Sequence, residues 1–360
     1  MKVAFDATPL VGPGTGVATF TRGARSALSA RPDIDLVDFA MTVRGRSETG
    51  MRWPMPAGLL QRVWAKAEVA PVEWWTGPVD VVHGTNFVVP PSRRRRAAAV
   101  VTVYDLTALR FPELCSPASL RYPDLVRAAV SRGAWVHVLA RAIGDEVVER
   151  LGVPSERVRV VPSGVDPAVG GDAIAGRSLA GCDRYVLALG TVEPRKDLPS
   201  LVRAFDRLAA SRPDLGLVVA GPDGWGTESF AGAVALARHG DRVRRLGWVD
   251  DSTRADLLAG AAALAVPSVY EGFGYPALEA MSAGTPVVAS SAGSLPEVVG
   301  DAGVLVPPGD IDALTDALAG VIDGDPSEWR AKGMANAARF EWKACASGLV
   351  ELYGDAITWT

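Results

Sequence analysis

Hydrophobic residues in this chain fall in short apolar runs separated by longer segments with helical spacing. The runs are rich in β-branched residues and mostly continuous, which is typical of strands buried on both faces of a parallel sheet. Twelve runs are predicted to be strands: Lys2–Ala7, Ile34–Ala40, Val79–Val82, Ala97–Tyr104, Trp135–Ala140, Val158–Val161, Tyr185–Leu189, Leu215–Ala220, Val243–Leu246, Ala262–Val266, Pro286–Ala289 and Val304–Val306.

Helical periodicity follows many of these runs, which indicates parallel βαβ units. With 360 residues the chain is long enough for two domains. The predicted fold class is therefore α/β, with two Rossmann-like, doubly wound parallel-sheet domains facing a central cleft. The predicted helices are Val17–Leu28, Ser119–Arg132, Asp197–Ala210, Ser252–Ala261, Ile311–Val321 and Trp342–Tyr353.

The boundary between the domains is predicted near residues 163–183, a glycine-rich stretch with few apolar residues that we interpret as a linker or excursion. This gives an N-terminal domain over residues 1–166 and a C-terminal domain over residues 167–340. Residues 341–360 form a final helical segment.

Composition excludes several classes of protein. Hydrophobic residues make up 48% and charged residues 22%, as in soluble globular domains rather than disordered or fibrous chains. No apolar run reaches the roughly 20 residues of a membrane span, and the N-terminal residues do not resemble a secretory signal. Three distant cysteines and three histidines indicate neither a disulfide framework nor a histidine-rich metal site, so a cytoplasmic location is expected.

The formal net charge of −4 hides an asymmetry between the two halves. Residues 1–166 carry 21 Lys+Arg and 16 Asp+Glu, whereas the remainder carries 16 and 25. The acidic total argues against a nucleic-acid partner. The basic first half suits either peripheral contact with the inner face of an anionic membrane or an ordinary arginine-rich surface.

A basic amphipathic helix is one candidate for such membrane contact. The apolar residues Leu59, Leu60, Val63 and Trp64 share a helical face, and Arg62 and Lys66 lie beside it. The alternative is that this face packs on the first sheet. The arginine run 93–96 is interpreted as a solvated loop that leads into a strand.

The segment from Tyr270 to Met281 carries the most informative chemistry. A strand leads into a glycine-rich turn, and Pro276 suits the first turn of the following helix. The amides from Gly274 to Leu278 are expected to be free and to form an anion site, with Glu271 before it and Glu279 about one turn inside the helix. Phosphate flanked by two hydroxyl-binding carboxylates suits a nucleotide-sugar; the alternative is a tight turn whose acids only cap the helix.

A second segment, from Leu189 to Leu198, also connects a strand to a helix. Arg195 and Lys196 lie at the carboxyl end of the strand, where together they could neutralise a diphosphate. Two cations near a helix N-terminus oppose its dipole, so we expect a compensating anion from a ligand. The alternative is a solvated helix start capped by Asp197.

The loop after the first strand weakly resembles a dinucleotide fingerprint. Pro13 interrupts it, and the second predicted strand does not end with an acid that could hold a ribose, so a nicotinamide site is disfavoured. Gly14 and Gly16 are instead expected to offer backbone amides to a phosphate or an acceptor.

Taken in order, these segments resemble the retaining glycosyltransferases of family 4, which have the GT-B fold. The pairing of Glu271 and Glu279, seven residues between them, with Gly190, Arg195 and Lys196 carries the resemblance. It extends over nearly the whole chain through the segments Gly14–Val17, Val81–Gly84, Val101–Leu106, Val160–Asp166, Leu246–Val249 and Ala283–Ala289.

The resemblance implies a role for each matching residue. Glu279 would bind the donor ribose, Glu271 would contact the hexose near its reacting carbon, and Arg195 and Lys196 would bind the diphosphate. The remaining donor-binding residues, mostly through their backbone, would be Gly14, Gly16, Gly190, Trp248, Val249, Phe273, Gly274, Tyr275 and Leu278. The final helix would cross back to the N-terminal domain.

One position departs from the family pattern. The family usually has His before the Asp where this chain has Tyr104 and Asp105, and tyrosine does not titrate near neutrality. Tyr104, which can donate one hydrogen bond, and Asp105 are kept as candidate catalytic residues. The role of that His has either moved to His83, passed to a backbone carbonyl or been lost. Asp105, Arg110 and Glu113 are candidates for acceptor contacts, and His83 fits a core position as well as a cleft.

The expected activity is metal-independent, retaining transfer of a hexose from a nucleotide diphosphate sugar to a hydroxyl acceptor, which could be a glycan, a lipid-linked or a small molecule. No cofactor and no metal are expected. Mannose, rhamnose and glucose are all candidate donor sugars, and the resemblance favours GDP-mannose. A nucleotide-sugar-binding protein without turnover is the main alternative, and a sugar-nucleotide epimerase on the same fold is a weaker one. His137 is predicted to be structural and His239 to lie on the surface.

Overall fold

The structure, a computed structural model, describes residues 1–11, 14–42, 52–53, 64, 69–93, 97–167 and 170–359. It divides into two compact units. Unit 1 comprises residues 1–164 together with 340–360, and unit 2 comprises residues 165–339. The C-terminal helix thus belongs to the same unit as the N-terminal residues.

Thirteen strands occur in the described part of the chain, and each apolar run that was predicted to be a strand overlaps one of them. They are β1 (Lys2–Asp6), β2 (Asp35–Met41), β3 (Arg52–Trp53), β4 (Val81–Gly84), β5 (Ala98–Val103), β6 (Trp135–Val138), β7 (Val158–Val160), β8 (Arg184–Leu189), β9 (Leu215–Ala220), β10 (Val243–Gly247), β11 (Ala263–Val266), β12 (Val287–Ser290) and β13 (Val304–Val306).

The described α-helices follow the six predicted ones and add several others. They are α1 (Gly16–Ser29), α2 (Glu73–Thr76), α3 (Thr107–Arg110), α4 (Tyr122–Ser131), α5 (Arg141–Leu151), α6 (Ala173–Ala180), α7 (Leu198–Ala209), α8 (Thr227–Leu236), α9 (Asp251–Gly260), α10 (Tyr275–Ser282), α11 (Leu295–Val299), α12 (Ile311–Asp323), α13 (Pro326–Ala337) and α14 (Trp342–Trp359).

Both sheets are parallel and share one strand order. The sheet of unit 1 runs β3-β2-β1-β4-β5-β6-β7, and that of unit 2 runs β10-β9-β8-β11-β12-β13. The order reverses between β1 and β4 in unit 1 and between β8 and β11 in unit 2. This arrangement confirms two Rossmann-like, doubly wound sheets, in which ligands bind at the carboxyl ends of the strands beside the reversal.

The sheet of unit 2 is buried on both faces, as its continuous apolar strands predict. One core cluster surrounds Phe205 of α7, and a second surrounds Tyr185 and Met281 on the other face. Along β8, Val186 faces the first cluster and Leu187 faces the second. Because the sheet is closed to solvent on both faces, ligand-binding groups must come from the loops at the strand ends.

The boundary between the two units, at residues 164 and 165, lies inside the stretch 163–183 that was predicted to be a linker or excursion. Its later part forms α6, which packs on α9 in unit 2. A Cβ at Gly176 would lie 2.0 Å from the carbonyl oxygen of Asp256, and one at Gly260 would lie 2.7 Å from the hydroxyl of Tyr185. The later part of the stretch therefore uses glycine to let α6 and α9 pack closely, which is why its many glycines do not indicate a linker there.

The candidate membrane helix lies largely outside the described residues, as do Gly12, Pro13 and Arg94 to Arg96. Trp64 is described and is 1% exposed, and its indole nitrogen donates to the carbonyl of Val69 at 3.0 Å. That residue is therefore packed inside unit 1. Among the described helices, none combines the length and apolarity needed to cross a bilayer.

A buried polar chain attaches α14 to the sheet of unit 1. Nε2 of His137 lies 2.9 Å from the carbonyl of Val161, which can only accept, so Nδ1 of His137 accepts from the Thr102 hydroxyl at 2.9 Å. Thr102 in turn accepts from Nε2 of His83 at 2.8 Å, and Nδ1 of His83 accepts from the Tyr353 hydroxyl at 2.6 Å. All four side chains are fully buried, so each of these hydrogen bonds replaces one that the group would make to water in the unfolded chain.

These buried hydrogen bonds predict that the stability of unit 1 falls at acid pH. Burial lowers the pKa of His137 from 6.5 to about 4, so its stabilising contribution is complete above pH 6.5 and is lost as the pH falls towards 4. We expect the free energy of unfolding of the wild type to fall by about 3 kcal/mol more than that of His137→Gln between pH 7 and 4. Urea titrations across this range measure the difference.

Asp6 provides the internal control for this measurement. Burial raises the pKa of its carboxyl to about 6, which has the opposite effect on the pH dependence, but it is present in both proteins and cancels in the comparison. Equal pH slopes for wild type and His137→Gln would contradict the interpretation.

Candidate active site

Two loops meet where the strand order of unit 2 reverses. One follows β8 and contains Arg195 and Lys196; the other follows β11 and contains Glu271. The amide of Val269 donates to the carbonyl of Arg195 at 2.9 Å, which joins the two loops directly. The structure thus brings together the two segments that the sequence singled out.

Backbone geometry shapes the loop after β8. Gly190 has φ +135°, and a Cβ on the neighbouring Gly221 would lie 2.0 Å from the carbonyl oxygen of Gly190. A short 3-10 turn, Pro194–Lys196, follows, and Asp197 at φ +45° turns the chain into α7. The two cations therefore lie on a tight turn just before the helix.

The loop after β9 braces this turn. Val192 donates through its amide to the carbonyl of Pro222 at 3.0 Å and accepts from the amide of Gly226 at 3.0 Å. A Cβ at Gly226 would approach the carbonyl carbon of Glu193 to 2.8 Å, so the two loops are in backbone contact. Glu193 is consequently held in place by its main chain.

Glu271 is the centre of a nearly buried ion cluster. Its Oε1 accepts from Nζ of Lys196 at 2.5 Å and from the Ser268 hydroxyl at 2.7 Å, and its Oε2 accepts from Nη1 of Arg195 at 2.9 Å. Glu271 is 5% exposed. Arg195 also donates to the carbonyl of Tyr270 at 2.8 Å.

The surroundings of Glu271 keep its carboxyl ionised. Burial by itself opposes ionisation, but the charges of Lys196 and Arg195 and the hydrogen bonds from Lys196 and Ser268 outweigh it and hold the pKa at about 2. Its backbone is fixed as well, because the amide and hydroxyl of Ser294 both donate to the Glu271 carbonyl, at 3.0 and 3.1 Å.

Glu193 is a member of this cluster that the sequence reasoning missed. Its Oε1 accepts from Nη2 of Arg195 at 2.5 Å. The expectation that the cations require an anion from a ligand is therefore corrected: Glu271 and Glu193 compensate them within the chain. The signal available in the sequence was a carboxylate two residues before the arginine.

The start of α10 differs in part from its prediction. Gly274 precedes the helix at φ +98°, a conformation that favours glycine, and Pro276 lies in the first turn. The amides of Ala277 and Leu278, expected to be free, instead donate to the carbonyl of Gly274 at 3.0 and 3.3 Å. Phe273 and Tyr275 are buried, with their rings in edge contact at 5.1 Å.

The carboxylate of Glu279 lies close to a cation but is not hydrogen-bonded to it. Its side chain is 16% exposed, and Oε2 lies 3.6 Å from Nε of Arg254, beyond hydrogen-bond distance. Burial raises the pKa of Glu279, while the charge of Arg254 acts in the opposite direction. Such a carboxylate is suited to accept hydrogen bonds from hydroxyl groups.

Trp248 lies at the carboxyl end of β10, next to Gly247, which contacts the loop after β9. Gly247 has φ +71° and accepts from the amide of Gly221 at 2.7 Å, and the following Trp248 is 60% exposed. Val249 is partly buried. An exposed indole at a strand end offers a flat surface on which a base could stack.

The site candidates of unit 1 are placed separately. Tyr104 is 7% exposed, and its hydroxyl donates to the carbonyl of Thr85 at 2.7 Å. Burial raises the pKa of Tyr104 well above its usual value. Its polar atom is therefore used inside unit 1, and it does not replace a titrating histidine.

His83 also lies in the interior, so its assignment as an acceptor-side residue is corrected. It is 0% exposed, and both ring nitrogens are hydrogen-bonded within the chain. The reason is that β4 is buried over its whole length. His137 is structural, as predicted, and His239 is partly exposed and lies 3.0 Å from Asp206.

The other candidates of unit 1 lie nearer the surface. Asp105 accepts from the amide of Thr107 at 2.9 Å, Arg110 forms an ion pair with Glu146 at 2.7 Å, and Glu113 is exposed. Gly14 is exposed, and Gly16 is the first residue of α1. Within the described residues no group of three or more His, Cys, Asp or Glu side chains is arranged to hold a metal ion.

Two family models match the chain. Residues 14–169 match glycosyltransferase family 4, and residues 183–323 match glycosyl transferases group 1. An O-antigen chain mannosyltransferase B of Escherichia coli is 32% identical over 290 residues, which cover 76% of this chain and 74% of the relative. The chain belongs to glycosyltransferase family 4.

Further similarities extend over the full length. A D-inositol 3-phosphate glycosyltransferase of Kribbella flavida is 33% identical, with coverage of 95% of this chain and 87% of the relative. The structure of Anabaena HepE in complex with UDP-glucose has a TM-score of 0.74 at 19% identity and 98% coverage of both chains. This member of family 4 is thus a glycosyltransferase with the GT-B fold and is similar to mannosyltransferases.

Proposed function

We propose that the protein transfers a hexose from a nucleotide diphosphate sugar to a hydroxyl acceptor with retention of the anomeric configuration and without a metal ion. The observation that carries the proposal is the cluster of Arg195, Lys196 and Glu271 where the strand order of unit 2 reverses. Ligands of doubly wound folds bind at this place, and the two cations suit a diphosphate leaving group.

The proposed donor roles are those that the resemblance to the family implies, and the geometry of unit 2 supports them. Arg195 and Lys196 would stabilise the negative charge that develops on the leaving diphosphate. Glu279, whose Oε2 lies 3.6 Å from Nε of Arg254, beyond hydrogen-bond distance, would bind the ribose diol, and Trp248 would contact the base. Glu271 would present its carboxylate edge to hexose hydroxyls.

Glu271 is poorly suited to be a covalent nucleophile. Its oxygens already accept three hydrogen bonds, and its pKa of about 2 makes it a weak base. We therefore propose that the leaving group departs and the acceptor attacks on the same face of the sugar, with a donor phosphate oxygen taking the acceptor proton. Catalysis then rests on positioning and charge stabilisation.

Similarity to mannosyltransferases favours mannose as the hexose and GDP-mannose as the donor. For the acceptor side we propose Asp105 and Glu113 of unit 1 as contacts to a hydroxyl compound. A cytoplasmic reaction, with peripheral contact to the inner face of a membrane through the basic residues of unit 1, belongs to the same proposal.

A panel of UDP, GDP, dTDP and ADP tests the donor assignment. We expect GDP to raise the melting temperature most, because a ligand that binds the native state stabilises it in proportion to the logarithm of its concentration over Kd. With the donor identified, the proposal expects transfer that persists in EDTA and a product whose anomeric NMR coupling matches that of the donor. Inversion, or loss of activity in EDTA that a divalent cation restores, would refute the mechanism.

The buried Tyr104 supports a second candidate, a nucleotide-sugar-binding protein without turnover. The chain has Tyr104 at the position where the family usually has a histidine, and the hydroxyl of Tyr104 donates to the carbonyl of Thr85. Calorimetry combined with a donor-hydrolysis assay separates the two candidates. Binding accompanied by neither transfer nor slow hydrolysis would favour the second.

A further inference from the structure

Arg195 and the three charged side chains beside it carry no net charge. Arg195 and Lys196 carry two positive charges, and Glu271 and Glu193 carry two negative ones. Their side chains are between 7% and 17% exposed. A diphosphate that enters this cluster therefore meets cations whose charge the chain has already balanced.

The two carboxylates of this set are held differently. Glu271 accepts from Lys196, Arg195 and Ser268, so its position depends on several groups. The carboxylate of Glu193 accepts from Nη2 of Arg195, whereas that of Glu271 accepts from Nη1. Through this ion pair the guanidinium of Arg195 bridges two carboxylates, those of Glu193 and Glu271.

The backbone of Glu193 is fixed by the loop that follows β9. The amide of Gly226 is bonded to the preceding Val192, and a Cβ at Gly226 would come within 2.8 Å of the Glu193 backbone. These contacts fix the backbone of Glu193, and the hydrogen bond to Nη2 of Arg195 orients its carboxylate beside the guanidinium that is proposed to bind phosphate.

We infer that Glu193 is a positioning residue with a double effect: it aims Arg195 at the diphosphate, and its charge limits how tightly the diphosphate is held. The inference rests on the proposed function and deepens it. A strong grip on the leaving group would also retain the nucleoside diphosphate product, so a fixed carboxylate beside the cation favours product release.

Glu193→Gln separates charge from geometry, because the amide oxygen still accepts from Arg195 while the negative charge is gone. Like charges a few ångströms apart repel even at an effective dielectric constant near 20, so this variant is expected to bind UDP or GDP about tenfold more tightly. Glu193→Asp, which keeps the charge, is expected to stay close to the wild-type affinity. A purely structural role predicts the opposite sign for Glu193→Gln.

The experiment is calorimetric titration of UDP and GDP into the full-length wild type, Glu193→Gln and Glu193→Asp, with melting temperatures to confirm folding. Glu146→Gln is the matched control, because Glu146 also forms an ion pair with an arginine, at 2.7 Å in unit 1, and its side chain is 14% exposed against 13% for Glu193. Steady-state assays should show a lower product-inhibition constant and a lower kcat for Glu193→Gln.

Two failures are distinguishable. If the wild type binds nucleoside diphosphate and Glu193→Gln binds it equally or more weakly, the inference about Glu193 is overturned and the proposed function stands. If no nucleoside diphosphate binds to the wild type or to any variant, the donor site itself is refuted, and the role of Glu193 is refuted with it.

Discussion

Replacing Lys196 by alanine is expected to lower the rate of sugar transfer by about 10²–10³-fold, by analogy with the loss of one donor from an oxyanion-binding site. Nζ of Lys196 lies 2.5 Å from the carboxylate of Glu271 in a nearly buried cluster, so its charge is not screened by bulk water. The loss should appear mainly in kcat, because the diphosphate gains negative charge as its bond to the hexose breaks, so Lys196 stabilises the transition state more than the bound donor. Initial rates with the identified donor measure it.

Lys332→Ala is the matched control for this prediction. Lys332 also pairs with a glutamate, at 2.7 Å, but on the exposed face of α13, and its replacement should leave the rate unchanged. Lys196→Arg should retain part of the activity, since it keeps the charge. A normal rate for Lys196→Ala would show that the cluster does not stabilise a leaving group.

Glu271→Gln is expected to lower the free energy of unfolding by about 3–5 kcal/mol. The substitution leaves Arg195 and Lys196 without the carboxylate that both contact, and uncompensated charge in a site of low exposure is expensive. Chemical denaturation with the melting temperature as a second probe measures the loss.

A double-mutant cycle makes this prediction specific. Adding Lys196→Met to Glu271→Gln removes the lysine charge that Glu271 compensates and should recover part of the lost stability, which gives a large coupling energy. The exposed pair of Glu328 and Lys332 provides the comparison, for which no coupling is expected beyond experimental error. Additive effects at Glu271 and Lys196 would contradict the buried ion cluster.

The pH dependence of Glu271 offers a further check on the same variant. Its carboxyl has a pKa of about 2 in the folded protein against an ordinary value of 4.5, so the folded state binds fewer protons in this range. Its stabilising contribution is therefore complete above pH 4.5 and is lost as the pH falls towards 2. Glu271→Gln should lack this part of the acid transition.

Much of the fold could be predicted because its signals are local. Parallel strands buried on both faces must be apolar throughout, and runs such as Leu215–Ala220 meet that requirement directly. Helices with one apolar face, such as α7, are equally clear. The sequence reading overlooked α5, whose buried residues include Ile143, Val147 and Leu151, and α6, whose glycines serve helix packing.

The candidate site could be predicted in outline for a related reason. Glycine-rich turns between a strand and a helix mark loops at the carboxyl ends of strands, and the charged residues in two such turns were named from the sequence. That these turns adjoin each other follows from the strand order, because β8 and β11 are neighbours although about 75 residues separate them.

What the sequence by itself determined is the set of elements, the two parallel sheets and the loops that carry Arg195, Lys196 and Glu271, since these depend on periodicity and turn chemistry within short segments. Only the tertiary structure decided which polar groups pair. It joined Glu193 to the cations, placed His83 in the core and engaged the hydroxyl of Tyr104. Partner choice depends on distances of a few ångströms between residues far apart in the chain, and no local pattern encodes them.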